Sequence, residues 1–268
     1  MYDLATPTNA MRELSLFSGA GGGLLATTHL LKWRTVCYVE WDAYCIQVLK
    51  QRIADGYLHD APIWDDVQTF DGAPWRGCVD IVTAGFPCQP FSTAGKRNGS
   101  NDDRNMWPAT IRIIREVRPA WVLLENVPGL LSAMDDTATL PHSYAGTVLG
   151  DLAESGYDAR WRVLSAAEVG APHKRDRIFI VASYACGDGL AQAQQPRTNR
   201  TQEQRRVSLR TRTPGLCEDR RSDRWLTYTD VQRTGDGVAH RVDRLKAIGN
   251  GQVPAVVSTV WRLLTETD

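Results

Sequence analysis

The chain has 268 residues, is 43% hydrophobic and 23% charged, and sets 31 basic against 31 acidic groups for a formal net charge of zero. That composition excludes a disordered or fibrous chain and suits one large folded domain with a small appendage. No stretch approaches about 18 consecutive apolar residues, so no membrane span is expected, and Met1 to Arg12 lacks the layout of a signal peptide.

Glu13–Phe17 reads as a short apolar strand, Gly19 to Gly23 as a glycine-rich turn, and Leu24–Leu31 as a helix. Thr35–Val39 is a second strand that ends on Glu40, and Ala43–Ile53 has helical spacing. Val79–Ala84 is a third strand, Ile111–Val117 a helix, and Ala120–Leu124 a buried strand that ends on Glu125. Gly146–Glu154 reads as a helix and Ile178–Ala182 as a strand. From about Tyr184 to Ala239 the periodicity fades. Val253–Leu264 regains apolar spacing and is expected to pack back on the sheet. Strands alternating with helices imply right-handed βαβ units, hence an α/β fold with a mostly parallel sheet and helices on both faces. Ligands in such folds bind beyond the carboxyl ends of the strands. Gly19, Glu40, Asp66, Cys88 and Glu125 all follow predicted strands or stand in the loops nearby.

Phe17-Ser-Gly-Ala-Gly-Gly-Gly23 joins the first strand to the first helix, where glycines let the backbone approach a ligand. Glu40, 21 residues after Gly19, stands where an acid accepts both hydroxyls of a ribose. Asp66 is placed to accept from an adenine amino group while Val67 packs on the ring. Together these residues point to an adenosine-containing cofactor and leave NAD and S-adenosylmethionine both open.

Gly85-Phe-Pro-Cys88-Gln-Pro-Phe-Ser92 follows the third strand, with prolines fixing the backbone on both sides of Cys88. A thiol framed at a strand end beside the cofactor turn can act as a nucleophile once it is a thiolate. The six cysteines (Cys37, Cys45, Cys78, Cys88, Cys186 and Cys217) show no zinc or redox-pair spacing, and free thiols imply a reducing, intracellular compartment. Glu125-Asn126-Val127 follows the next strand, where a buried carboxyl group stays partly protonated and serves as an acid. Arg175 and Arg177, two apart on a strand-like segment, are expected to point the same way and clamp an anionic or carbonyl-bearing substrate.

The zero net charge averages a gradient. Residues 1–80 carry 6 basic and 10 acidic groups, net −4, and residues 184–268 carry 14 and 10, net +4. Arg197–Arg224 holds nine arginines, four acids and no lysine. Arginine suits bidentate contacts to phosphates and base edges.

Phe17-Ser-Gly-Ala-Gly-Gly, Glu40-Trp41, Asp66-Val67, Gly85-Phe-Pro-Cys-Gln-Pro-Phe-Ser, Glu125-Asn-Val, Arg175-Asp-Arg177 and Gly249-Asn250-Gly-Gln-Val-Pro254 stand in one order. In that order and spacing the chain resembles the DNA cytosine-5 methyltransferases of bacteria and phages, over about 1–183 and 240–268. The resemblance implies a Rossmann-like S-adenosylmethionine-dependent methyltransferase fold with a small inserted target-recognition region. Residues 1–183 and 240–268 would form the catalytic domain, and 184–239 a short Arg-rich target-recognition region.

Phe17, Gly19 and Gly21 would line the S-adenosylmethionine pocket, with Glu40 on the ribose, Trp41 beside the adenine, and Asp66 and Val67 at the adenine edge. Pro87 and Asn250 would complete it around the methionine end. Cys88 would attack carbon 6 of a flipped-out cytosine, Glu125 would hold ring nitrogen 3, Arg177 would contact the carbonyl oxygen, and Arg175 would support the site. Ser92–Asn105, with Lys96, Arg97 and Arg104, would close over the flipped base, and Arg205, Arg206, Arg210 and Arg212 would contact DNA. No metal is expected. The product would be S-adenosylhomocysteine, the partners double-stranded DNA and a cognate restriction endonuclease, and the location the cytoplasm of a bacterial or phage-infected cell. A tRNA cytosine methyltransferase and a catalytically weak DNA-binding homologue are the alternatives. Ser15 stands where many relatives carry Asp, His173 where Gln is usual, and the Tyr184–Ala239 region is shorter than its usual counterpart.

Overall fold

The computed structural model describes residues 4, 7–87, 105–133, 143–185 and 241–266. All of these but Arg241 lie in the unit formed by Met1–Ala185 and Val242–Asp268. Seven strands form one sheet: β1 (Arg12–Leu16), β2 (Arg34–Val39), β3 (Ile63–Trp64), β4 (Ile81–Ala84), β5 (Trp121–Asn126), β6 (Tyr157–Leu164) and β7 (Arg177–Tyr184). Their order is β3-β2-β1-β4-β5-β7-β6. The pairs from β3 to β5 are parallel, and β7 runs antiparallel to both β5 and β6.

Alternation along the central strands sorts the sheet into two faces. Leu14, Leu16, Val82, Ala84, Val122 and Leu124 turn to one side. There they meet α3 (Trp107–Val117) and α4 (Tyr144–Glu154). Helix α3 buries Ile111, Ile113, Ile114 and Val117 as a stripe and stops at Arg118, which takes a left-handed conformation at φ 50°. Ile81, Leu123, Phe179 and Val181 turn to the other side, against the C-terminal helix α6 (Pro254–Thr265) and its Val256, Val257 and Val260. Trp261 of α6 packs edge-on against Trp33 and Trp121, with ring centroids at 4.8 and 5.3 Å. The expected return of this segment onto the sheet is thus met. Helix α2 (Ala43–Ala54) opens on Asp42, whose carboxylate accepts from the Tyr44 and Cys45 amides at 3.0 and 3.1 Å. A further helix, α5 (Arg241–Asn250), precedes α6.

Several elements differ from those expected. Strands β3 and β6 were not expected. The expected helix over Leu24–Leu31 is a short α1 (Gly22–Leu25) that widens into a π-helix over Ala26–Leu30. The helix expected from Ile111 starts at Trp107, with Pro108 in its first turn. The widened turn places Thr27 on a buried acid in β1. Glu13 is enclosed in the sheet and accepts from the hydroxyls of Thr27 (2.7 Å), Thr35 (2.9 Å) and Thr83 (2.8 Å). Burial pushes its carboxyl group up, and the three hydroxyls oppose that shift.

Candidate active site

The carboxyl ends of β1, β4 and β5 and the segment Asn250–Gln252 surround a cavity of about 50 Å³, lined among others by Glu13, Phe17, Thr83, Glu125 and Gln252. On one side of this cavity the chain leaves β1 through a strained turn. Phe17 has φ 53°, a conformation that costs a bulky residue about 1–3 kcal/mol. The turn is held against β2 by the Ser18 amide, which donates to the Val39 carbonyl at 3.1 Å. Gly19 follows at φ 56° with open space where a side chain would stand, and Gly21 precedes α1 at φ 90°.

Glu40, buried just past β2, accepts from the Gly19 amide (2.6 Å) and the Asp42 amide (2.9 Å). Burial pushes its carboxyl group up, and these amides oppose it. Trp41 beside it is 78% exposed, an open aromatic face. Asp66 accepts from the Gln68 amide at 2.8 Å, and Val67 is buried in the core. Asn250 lines the cavity, and Pro87 is exposed after β4. Ser15, in the first strand, is tied to the Ser18 hydroxyl at 3.0 Å.

At the end of β5 Glu125, 11% exposed, pairs through Oε1 with Arg177 Nε at 2.9 Å. Desolvation pushes the Glu125 carboxyl up, and the charges of Arg177 and Arg175 oppose it. The next residue, Asn126, donates to the Phe86 carbonyl at 3.1 Å and accepts from the Val127 amide at 2.8 Å. It therefore ties the end of β5 to the segment after β4 at Phe86, two residues before Cys88 in the sequence.

Arg175 does not stand on a strand beside Arg177, as the spacing suggested. Its φ is 44°, β7 begins only at Arg177, and its Nη2 donates to the Gly251 carbonyl at 2.6 Å. The kink turns its guanidinium to the closing segment, where burial lowers its pKa. Lys246 of α5 pairs with Asp42 at 2.8 Å, so this segment is tied down at both ends.

Cys88 lies outside the described residues, as do Lys96, Arg97, Arg104, Arg205, Arg206, Arg210 and Arg212. Two lining residues were missed in the sequence. Glu13 read only as part of an apolar strand, and Gln252 only as a spacer in Gly249–Pro254. The acid inside an otherwise apolar strand was the available signal for the first.

Seven strands with β7 alone reversed, a glycine turn after β1 and an acid after β2 define a Rossmann-like methyltransferase fold. The solved structure of a DNMT2 from Spodoptera frugiperda is similar in fold, with a TM-score of 0.51 and 24% identity, over 65% of this chain and 50% of that one. The model of the C-5 cytosine-specific DNA methylase family matches residues 11–232, and the chain belongs to that family. It is 32% identical to the Type II methyltransferase M.NgoMIV of Neisseria gonorrhoeae, over 63% of this chain and 51% of that protein. It is 34% identical to the Type II methyltransferase M.AquIA of Picosynechococcus sp., over 63% of this chain and 71% of that protein. The chain thus spans about half the length of the Neisseria relative. Among the described residues no helix is long and apolar enough to cross a membrane, and no His, Cys, Asp and Glu group is arranged to hold a metal.

Proposed function

We propose that the chain methylates carbon 5 of a flipped-out cytosine in duplex DNA, with S-adenosylmethionine as methyl donor and S-adenosylhomocysteine as product. The observation that carries this reading is Glu125. It is a largely buried carboxyl group, kept protonatable by burial and oriented by Arg177, beside the strand end that Asn126 anchors and that leads into Cys88.

The residues of the cofactor side fit an adenosine. Glu40 offers a carboxylate for vicinal hydroxyls, Trp41 an open face for a purine, and Gly19 an unobstructed turn. S-adenosylmethionine supplies an electrophilic methyl group on its sulfonium. The Cys88 thiolate bonds to carbon 6, the displaced electron pair moves through the ring to nitrogen 3, and Glu125 gives its proton to that nitrogen. Arg177 contacts the carbonyl oxygen, and Arg175 holds the closing segment through Gly251. Carbon 5, now enamine-like, takes the methyl group. A water molecule removes the carbon 5 proton, the carbon–sulfur bond breaks to free Cys88 as a thiolate, and ring nitrogen 3 returns its proton to Glu125.

In this reading residues 1–183 and 240–268 are the catalytic domain, and the Arg-rich 184–239 region reads the DNA sequence. Lys96, Arg97, Arg104, Arg205, Arg206, Arg210 and Arg212 contact the duplex. The Type II names of the relatives support a role beside a cognate restriction endonuclease in the cytoplasm. Incubation with unmethylated duplex DNA and S-adenosylmethionine, followed by bisulfite sequencing, should show protected cytosines in one short sequence context and none with Cys88→Ser. Methyl transfer to tRNA with no protected DNA cytosine would overturn the DNA assignment.

A further inference from the structure

Gln252 stands at the meeting point of the two halves of the site, and no part of the reaction above uses it. A Cβ on Gly22 would lie 2.7 Å from the Gln252 carbonyl oxygen, and one on Gly23 would collide with its side-chain amide oxygen. On the other side, a Cβ on Gly85 would lie 3.0 Å from Gln252 Nε2 and 3.2 Å from Glu125 Oε2. The glycines of the β1–α1 turn and the glycine after β4 therefore leave one slot, and the Gln252 side chain fills it. Its amide nitrogen and Glu125 Oε2 border the same slot, while Arg177 pairs with the other carboxyl oxygen, Oε1. The backbone beside it is fixed by Arg175 through the Gly251 carbonyl at 2.6 Å.

We propose that Gln252 is a positioning residue for Glu125: wedged between the Gly22–Gly23 turn and Gly85, its amide nitrogen donates to the carboxyl group and, opposite Arg177, fixes its orientation. The cofactor turn and the acid become one mechanical unit, so a shift of the turn is felt at Glu125. Two donors on opposite oxygens hold a carboxyl group in one rotamer more tightly than either alone. The proposal rests on the reading of Glu125 as the acid of the reaction, so it needs one test that does not use activity.

That test is a double-mutant cycle on urea unfolding of the full chain, with Gln252→Met, Glu125→Gln and the pair. Met keeps the length of the side chain and removes the donor. Coupling of about twofold or more in the unfolding constant is expected, since contacting residues depart from additivity by at least that much. In methylation assays Gln252→Met should lower kcat about tenfold or more with a smaller change in KM for DNA, because a displaced acid affects the chemical step.

Arg175, Arg177 and, across the cavity, Glu13 are the charged groups facing Glu125 among the described residues. Loss of a donor to the charged form raises its pKa, so the limb of the pH–rate profile on which Glu125 loses its proton should move to higher pH. Gln252→Glu, which sets a second carboxyl group against the first, should move it further. Additive unfolding energies, or an unmoved limb with kcat unchanged, would overturn the proposal. If the wild-type chain transfers no methyl group to DNA, the functional reading fails, and the unfolding cycle still decides whether Gln252 holds Glu125.

Discussion

Asn126→Asp isolates the anchor of the strand end before Cys88. Asn126 is buried, with its Nδ2 donating to the Phe86 carbonyl at 3.1 Å and its Oδ1 accepting from the Val127 amide at 2.8 Å. Asp has the same shape, keeps the second bond and cannot make the first when ionised. The Phe86 carbonyl is then unpaired, which costs about 1–3 kcal/mol, and a carboxylate oxygen faces it, which costs more. We expect a loss of about 3 kcal/mol at pH 8. The buried carboxyl group has its folded pKa raised above the unfolded value of about 3.9. Its contribution is therefore most favourable below that value and is lost as pH rises through the folded pKa. One proton is worth about 1.4 kcal/mol per pH unit, so a loss of that size recovers over about two pH units on acidification, as the protonated group donates to Phe86. Urea unfolding from pH 4.5 to 8, with Asn126→Ala as a control that carries no titratable group, measures this. A stability gap for Asn126→Asp that stays constant with pH, as the Ala gap should, would refute the reasoning.

Three further outcomes follow from other parts of the molecule. Glu13→Gln should gain stability relative to the wild type as pH rises above about 4.5, because a raised folded pKa makes the wild-type acid increasingly unfavourable there; thermal melts across pH 5–8 would show it, and a pH-independent difference would contradict it. Glu40→Ala should weaken S-adenosylmethionine binding about tenfold or more in calorimetry, since it removes the carboxylate proposed for the ribose hydroxyls and leaves the Gly19 amide without its acceptor. Neutralising several arginines between Arg197 and Arg224 should weaken DNA binding and flatten its dependence on salt; an unchanged slope would remove that segment from the interface.

The parallel part of the sheet and the strand-end placement of Glu40 and Glu125 were legible because apolar runs and strand-to-turn junctions are local signals. Strand β6 was not legible. Its exposed Asp158, Arg160 and Trp161 blur the alternation, and its pairing with β7 supplies the order that its own residues do not. The π-helix was hidden for a different reason. Ala26–Leu30 has ordinary helical composition, and the bond from Thr27 in the widened turn joins it to Glu13, which only the fold brings near. Arg175 shows the same limit. Spacing placed it beside Arg177, but a left-handed residue before β7 sends it to Gly251 instead. The role of Gln252 rests on contacts to Gly22, Gly23 and Gly85, more than 150 residues away in the chain.

A duplex in which the target cytosine is replaced by 5-fluorocytosine tests the central claim most directly. Fluorine cannot leave as a proton does, so after methyl transfer the bond between Cys88 and carbon 6 should persist, giving a complex that survives denaturation and maps to the peptide containing Cys88. Glu125→Gln should slow its formation, and Cys88→Ser should abolish it. A chain that methylates cytosine in the unmodified duplex yet forms no such complex would contradict the covalent mechanism.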